Sequence, residues 1–543
     1  HRLGGSSAPP PDRPVTDAAH EHALLDEGLG AARTAIEHDR GLVTARAGSA
    51  EAEIFDAHLA LLDDDALLEP ALRGIDSGLS AERAWYEAAQ EVAERYRQLS
   101  EPLLRERATD VLDVGRRVVG VLTGAGPDQA VPEGAIVVAD ELTPADAAGL
   151  DPDRVAAIAT ARGSTTAHAA ILARALGLPA VVGLGDGVLA IQAATPVLLD
   201  GEAGWIEIDP PDGDLSAARE RRDRAQQRRT AARERATEPA ITRDGIRVDV
   251  FANLGSAAQA AQAVAMGAEG VGLLRTEFLF LDRDTLPDED EQVRTLTEIA
   301  VALGGRDLIV RTLDAGADKP LPALPMPTEA NPFLGVRGIR LALAQPELLS
   351  TQLRAVLRVA VEHPVKVMLP MVATLSEITA TRDLLDQARR QTGIDAPLEL
   401  GIMVEVPAAA LSAERLAAHV DFFSLGTNDL AQYTMAAERG DARLASLLAG
   451  PHPAVMRLVA ATVAGALAHG RWVGVCGELA GDPAAAVLLA GLGVTELSMA
   501  PGLVAEAKAA LREVSMADAQ AAAQAALEVD DADAARALAL RLL

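Results

Sequence analysis

The sequence is poor in cysteine and in aromatic residues. One cysteine in 543 residues, Cys476, excludes an internal disulfide and is typical of a reducing compartment. Aromatic residues make up 2% of the chain and hydrophobic residues 49%, so its cores must be built mainly from alanine, leucine and valine. No uninterrupted apolar run reaches the roughly 18 residues of a membrane span, and no secretory signal peptide is recognisable. We therefore expect a cytoplasmic protein without a membrane partner.

Positive charge is also scarce. The formal net charge is −30 and the pI is about 4.7. A surface this acidic repels phosphate backbones, so we do not expect nucleic acid as a partner. The length of the chain suits three or four domains.

Hydrophobic patterns divide the chain into regions. Apolar residues recur with a helical period from 17 to 122, which predicts a helical domain. Short β-like runs punctuated by glycine and proline between 123 and 212 predict a small α/β domain, and residues 4–16 form a connector rich in proline, serine and glycine. The polar, arginine-rich stretch at 213–239 has almost no apolar stripe and is typical of a linker helix.

The region 240–543 contains eight β-like segments separated by helical stretches. This alternation predicts a (β/α)₈ barrel, whose active site is expected where the carboxyl ends of the strands meet. Carboxylates there suit Mg²⁺, and arginines match phosphate and carboxylate groups, so the pattern indicates a small, multiply anionic substrate beside magnesium. The polar residues that follow the segments are Arg275, Glu277, Arg311, Asp314, Glu405, Asn428, Asp429, Cys476 and Glu478.

A second candidate site lies in the α/β region. The hydroxyl-rich loop 163–166 precedes an apolar helical stretch that ends at Gly177. Because serine and threonine are helix caps, His168 is expected in or next to the first turn, where free N–H groups and the helix dipole favour an anion. Imidazole is a competent nucleophile, so His168 is a candidate phosphohistidine. A capping or core histidine is the alternative that this loop alone leaves open.

Taken together, these segments resemble enzyme I of the bacterial sugar phosphotransferase system, the phosphoenolpyruvate–protein phosphotransferases. The resemblance covers nearly the whole chain, in order and with sensible spacing. The motifs that carry it are Gly163–Arg174, Gly270–Phe280, Arg311–Asp314, Asn331–Arg337, Glu405–Ala410, Phe422–Tyr433 and Cys476–Gly481.

The resemblance implies that phosphoenolpyruvate phosphorylates His168 with Mg²⁺ as cofactor, that pyruvate is released, and that the carrier HPr then receives the phosphoryl group to drive sugar uptake. Cys476 would protonate the enolate, and Glu405 and Asp429 would hold the metal. The helical region would be an HPr-binding domain inserted in a swivelling α/β phosphohistidine domain made of residues 1–16 and 123–212. The barrel would form a homodimer. The implied substrate-binding residues are Arg275, Arg311, Arg337, Asn428, Asp429 and Arg439.

The chain departs from the family pattern in three places. Ser164 and Ala167 stand where a second glycine and a serine are usual in the histidine loop. Val406 replaces the threonine that usually follows the metal-binding glutamate. The opening strand of the family is missing before His1, so the α/β domain is expected to lack an edge strand.

Three other interpretations are open at this point. Pyruvate phosphate dikinase and phosphoenolpyruvate synthase share the histidine domain and the barrel, but they need a nucleotide-grasping domain for which the chain has no glycine-rich loop. A non-catalytic regulatory scaffold would be expected to have lost at least one of the candidate site residues. The start at His1 rather than methionine also permits a segment of a longer, fused multiphosphoryl transfer protein.

Overall fold

The computed structural model divides the chain into two compact units, His1–Arg221 and Arg222–Leu543, each with a hydrophobic core of its own. The residues that the structure describes are 9–10, 13–15, 17–46, 49–98, 102–124, 131–151, 154–163, 173, 177–201, 204–281, 283–316, 321, 323–324, 326, 329–439 and 444–543.

The first unit begins with helices, as the apolar periodicity predicts. Arg13 links the starts of two of them, since its guanidinium donates to Glu21 at 2.6 Å and to Glu82 at 2.7 Å. Asp64 caps a third helix by accepting a hydrogen bond from the backbone N–H of Ala66 at 2.8 Å. The helices are α1 (Ala18–Arg46), α2 (Ser49–Leu62), α3 (Asp65–Asp76), α4 (Ala81–Arg97) and α5 (Pro102–Thr123).

Short strands follow, and they coincide with the β-like runs of the sequence. Strands β1, β2 and β3 form a parallel sheet, whereas β4 and β5 form an antiparallel pair. Thr143 and Asp146 form a capping box at the start of the short helix between β1 and β2. The elements are β1 (Ala135–Ala139), α6 (Pro144–Gly149), β2 (Val155–Thr160), β3 (Ala180–Val181), β4 (Val197–Asp200) and β5 (Trp205–Ile208).

A long polar helix, α7 (Asp212–Glu234), leads to the barrel. Ala232 is its buried residue, and the arginine-rich remainder is mostly exposed. A helix that is polar on nearly all sides cannot form a core of its own, and the linker function expected of residues 213–239 stays a prediction.

The second unit is a closed barrel of eight parallel strands, β7 to β14, in which β14 pairs with β7. The predicted (β/α)₈ barrel is therefore confirmed, and the short β6 adds an antiparallel partner to β7. The strands are β6 (Ala240–Ile241), β7 (Arg247–Leu254), β8 (Val271–Arg275), β9 (Leu308–Arg311), β10 (Val365–Leu369), β11 (Leu400–Val404), β12 (Phe422–Leu425), β13 (Trp472–Val475) and β14 (Glu496–Met499).

Helices surround the barrel, and several begin with proline, whose missing N–H costs nothing in a first turn. They are α8 (Gln259–Ala265), α9 (Glu289–Ala302), α10 (Ile339–Ala344), α11 (Pro346–Val359), α12 (Leu375–Thr392), α13 (Pro407–Leu411), α14 (Ala413–Ala417), α15 (Thr427–Met435), α16 (Ala445–Leu448), α17 (Pro453–Leu467), α18 (Pro483–Gly491), α19 (Val504–Glu513), α20 (Met516–Ala526) and α21 (Ala532–Leu540).

One segment within the described ranges, Ala445–Leu467, is long and apolar enough to cross a membrane by length and composition alone. The structure divides it into α16 and α17, with Pro451 between them and Pro453 as the first residue of α17. Val455, Val459 and Val463 of α17 belong to the barrel core. We therefore assign this segment to the outer layer of the barrel.

The helices pack closely where glycine faces a neighbour. A Cβ atom on Gly491 of α18 would lie 2.2 Å from the carbonyl oxygen of Ala519 in α20. We expect Gly491→Ala to destabilise the barrel by about 1–3 kcal/mol, because an added methyl group must push the two helices apart. Urea unfolding of the full chain measures this.

Gly502→Ala is the matched control, since a Cβ atom at this position meets nothing within 4 Å. We expect it to change the free energy of unfolding by less than about 0.5 kcal/mol. Equal stabilities of the two variants would contradict the packing argument.

Candidate active site at the mouth of the barrel

The parallel strands place their carboxyl ends at one mouth of the barrel. Arg275 ends β8 and Arg311 ends β9. Glu405, Asn428 and Cys476 follow β11, β12 and β13 within one to three residues. Eight residues predicted from the sequence therefore belong to this mouth, and they are Arg275, Arg311, Arg337, Glu405, Asn428, Asp429, Arg439 and Cys476. His168 lies outside the described residues.

A chain of buried ion pairs joins the loops of the mouth. Arg311 Nη2 donates to Glu277 Oε1 at 2.8 Å, and its Nη1 lies 3.3 Å from Asp314 Oδ2. Arg337 Nη2 donates to the same Asp314 oxygen at 2.7 Å, and its Nη1 donates to Asp429 Oδ1 at 3.1 Å. Burial disfavours the charge of Arg311, but Glu277 and Asp314 outweigh it and raise the pKa of Arg311. Both guanidinium groups therefore stay charged.

Glu405 lies beside this chain and is almost fully buried. Its Oε1 accepts a hydrogen bond of 2.5 Å from the backbone N–H of Met371. Met371 has φ 59, a left-handed conformation that is uncommon for a residue with a side chain and that often marks functional sites. Burial, then Asp314 and Asp429, raise the pKa of Glu405 to about 8, against the opposing charges of Arg311 and Arg337.

The crowding of Glu405 and Asp429 fits a divalent cation. Two carboxylates that repel each other in a buried place are stabilised by a doubly positive ion, and oxygen is the ligand that Mg²⁺ prefers. Within the described ranges, no group of three or more His, Cys, Asp or Glu residues is placed to hold an ion by itself. The protein would thus supply part of a coordination shell, leaving positions for water and substrate.

Two arginines face the open side of the mouth. Arg275 is exposed, and in the described part of the chain no carboxylate forms an ion pair with it. Loss of hydration, followed by the charge of Arg311, lowers the pKa of Arg275. Arg439 Nη1 lies 3.8 Å from Asp429 Oδ2. Arg275 and Arg311 are register partners on neighbouring strands, and adjacent cations without a full set of counter-ions form a site for an anion.

Asn428 is held by a reciprocal pair of hydrogen bonds. Its Nδ2 donates to Glu478 Oε1 at 2.9 Å, and its Oδ1 accepts from the backbone N–H of Glu478 at 2.9 Å. This pairing joins the first turn of α15 to the segment after β13 and fixes the orientation of the amide.

Cys476 lies inside the mouth and is 3% exposed. It packs with Leu273, Met403 and Phe422 in the barrel interior. Burial raises the pKa of its thiol to about 12, and a contact with Ser424 opposes that effect. The thiol therefore carries its proton at neutral pH and is available as an acid.

Two residues that hold the arginines, Glu277 and Asp314, were recognised from the sequence only as polar strand ends. Their function as counter-ions depends on contacts between different loops, which no local pattern encodes. The backbone N–H of Met371, the partner of Glu405, left no signal in the sequence. A further buried carboxylate, Glu496, stands at the start of an apolar strand and was also missed.

Three family models match the chain. They describe the PEP-utilising enzymes (PEP is phosphoenolpyruvate): an N-terminal region at 3–107, a mobile domain at 131–204 and a PEP-binding domain at 229–516. The last of these spans more than half of the chain.

Curated relatives match along nearly the whole chain. A phosphoenolpyruvate-protein phosphotransferase of Haloferax volcanii is 45% identical, over 96% of this chain and 92% of the relative. Its counterpart in Geobacillus stearothermophilus is 38% identical over the same shares. A multiphosphoryl transfer protein of Xanthomonas campestris pv. campestris is 43% identical over 99% of this chain. The chain spans 65% of the length of that relative.

The buried thiol leads to a chemical test. Because Cys476 is the single cysteine, reaction with a disulfide reagent reports on it alone. We expect the native protein at pH 8 to react at least about a hundredfold more slowly than the chain unfolded in guanidinium, since only an accessible thiolate is nucleophilic. Stopped-flow absorbance measures both rates, and similar values would contradict the buried, protonated thiol.

Proposed function

We propose, because the chain belongs to the PEP-utilising enzyme family, that it is a phosphoenolpyruvate–protein phosphotransferase that phosphorylates itself on His168, releases pyruvate and passes the phosphoryl group to HPr. The observation that carries the proposal is the combination, at one barrel mouth, of two adjacent arginines, a carboxylate pair and a protonated thiol. An anion with a phosphate, a carboxylate and an enol oxygen needs each of these groups.

Substrate binding falls to the arginines and to Asn428. Arg275 and Arg439 are exposed at the mouth and are the cations available to the phosphate and carboxylate groups. Arg311 and Arg337 are positioned by Glu277, Asp314 and Asp429, so they meet a substrate in a preset orientation. A charge arranged before binding costs no reorganisation during the reaction.

Glu405 and Asp429 are the residues proposed to hold Mg²⁺. When bound there, the ion supplies positive charge to the phosphate and enolate oxygens. The charge of both carboxylates is then needed, and the raised pKa of Glu405 shows how strongly its burial and its neighbours disfavour that charge without a cation.

The proposed chemistry has two parts. An imidazole nitrogen of His168 forms a bond to phosphorus while the bond from phosphorus to the enol oxygen breaks, leaving the enolate of pyruvate. The enolate carbon then takes the proton of the Cys476 thiol, and pyruvate leaves. Cys476 suits this step because burial keeps it protonated.

The remaining expectations complete the proposal. The helical domain, residues 17–122, would bind HPr, and the α/β domain, residues 1–16 and 123–212, would carry His168 and swivel. The helix at 213–239 would link the α/β domain to the barrel. The barrel, residues 240–543, would bind phosphoenolpyruvate and form a homodimer. The net charge of −30 favours a basic carrier and disfavours nucleic acid and anionic membranes. A cytoplasmic location follows from such a carrier. The same reaction applies within a fused multiphosphoryl transfer protein.

The test of the nucleophile uses phosphoenolpyruvate labelled with ³²P. We expect acid-labile label on the wild-type chain with Mg²⁺, located at His168 by mass spectrometry, because imidazole is the nucleophile proposed here. His168→Ala is expected to take up no label, and His452→Ala, at the first turn of α17 in the barrel, is the control that keeps it. Label on another residue of the wild type would overturn the assignment.

Cys476→Ala separates the two half-reactions. We expect pyruvate formation from phosphoenolpyruvate to fall about 10²–10⁴-fold, the usual contribution of a general acid. Phosphorylation of His168 from phosphorylated HPr makes no enolate, so we expect that rate to stay within about twofold. Equal losses in both assays would show that Cys476 is needed for packing and that the proton comes from another group.

A further inference from the structure

The interior of the barrel contains a polar row that the proposed chemistry does not use. Ser424, Gly474 and Glu496 are register partners on the neighbouring strands β12, β13 and β14. Residues two apart on a strand face the same side, so Cys476 lies one layer above this row, nearer the mouth. One layer below, Phe422 and Trp472 stack at 4.5 Å. The row therefore occupies the layer directly beneath the thiol.

Glu496 is the unusual member of the row. It is 3% exposed, and neither of its carboxyl oxygens has a hydrogen-bond partner within the described residues. Two glycines make room for it: a Cβ atom would lie 2.3 Å from Oε1 at Gly272 and 2.0 Å from Oε2 at Gly474. The carboxyl group thus extends over Gly474 towards Ser424, whose buried hydroxyl likewise has no hydrogen-bond partner among the residues that the structure describes.

An unpartnered buried carboxyl group is costly, and it is tolerated most easily when it is neutral. Burial, then Asp249 and Asp307, raise the pKa of Glu496 to about 8, against the opposing charge of Lys366. In turn, a charge on Glu496 raises the pKa of Cys476, so the two groups are within electrostatic reach of each other. At neutral pH two acidic protons therefore lie in adjacent layers of the barrel, one on the sulfur of Cys476 and one on the carboxyl group of Glu496.

We propose that Glu496 restores the proton that Cys476 gives to the enolate, acting through the hydroxyl of Ser424 when these side chains close to hydrogen-bond distance during the reaction. This inference rests on the proposed function, since it needs a reaction that uses the thiol proton. Glu496 touches no substrate and acts only through the cysteine.

The proton balance closes over one cycle. The Cys476 S–H bond breaks as the C–H bond of pyruvate forms, leaving a thiolate. Ser424 gives its hydroxyl proton to the thiolate and takes the proton of Glu496, which becomes a carboxylate. Glu496 then recovers a proton from solvent at the base of the barrel, where Asp307 and Lys366 are partly exposed. In the reverse direction each step runs backwards.

The relay predicts that loss of the Glu496 proton slows net turnover but leaves the rate of pyruvate exchange nearly unchanged. Net turnover with excess HPr consumes one proton per cycle, so Cys476 must be reprotonated every time. Exchange of ¹⁴C-pyruvate into phosphoenolpyruvate consumes none, because the proton that the thiolate takes from pyruvate returns to the next enolate. Glu496→Gln keeps the shape of the side chain but cannot ionise.

We expect Glu496→Gln to slow net turnover at least about tenfold while the exchange rate stays within about twofold. Wild-type net turnover is expected to fall as the pH rises through about 8, since the carboxyl group then loses its proton. Glu496→Gln is expected to lack that decline. Glu399→Gln, the same chemical change next to Lys366 at the partly exposed base, is the control expected to match the wild type.

Two results would overturn the relay: no effect of Glu496→Gln on net turnover, or equal losses in turnover and exchange, which a purely structural residue would produce. Failure of the proposed function is distinguishable, because the wild type would then form no pyruvate from phosphoenolpyruvate. Unfolding of Glu496→Gln is followed by circular dichroism. If the variant does not fold, Ser424→Ala replaces it with the same expected split, because that hydroxyl is the only intermediate carrier in the proposed path.

Discussion

The buried ion pairs at the barrel mouth are the constraint on which the rest of the site depends. Arg311 and Arg337 each lie between two carboxylates, and together they connect the loops after β8, β9 and β12 to the loop before α10. Removing one partner of a buried pair typically costs about 3–5 kcal/mol, because it leaves an uncompensated charge. The orientation of each guanidinium is therefore set before any substrate binds, and so is the position of Asp429 next to Glu405.

The barrel separates two kinds of chemistry by depth. Anion-binding groups lie at the mouth, where Arg275 and Arg439 reach solvent. Proton-carrying groups lie below it, where burial raises the pKa of both Cys476 and Glu496. The stacked rings of Phe422 and Trp472 lie in the layer beneath them. A low-dielectric interior suits neutral acids, and a partly hydrated rim suits charged ligands.

Glycine positions, where a side chain would collide with a neighbour, are as important for packing as the side chains themselves. Gly491 lets two barrel helices touch, and Gly272 and Gly474 leave the volume in which the Glu496 carboxyl group lies. With aromatic residues at 2% of the composition, the core relies on alanine, leucine and valine, whose small volumes make close packing sensitive to a single added methyl group.

The sequence by itself determined the secondary structure of the barrel and which polar residues lie at its mouth. Eight β-like segments coincide with β7 to β14, because a strand buried on both faces reads as a short apolar run, and strand direction places every following polar residue at one rim. The resemblance of long motifs added the family. These features are local, or follow from chain order.

Only the tertiary structure decided which of these polar residues contact one another. Glu277 and Arg311 lie 34 residues apart, and Arg337 and Asp429 lie 92 apart, so their pairing depends on barrel closure. Barrel closure also brings the N–H of Met371 to Glu405 and places the row that contains Glu496 beneath Cys476. Burial and electrostatic coupling act through space, and a linear pattern contains neither until the strands have paired.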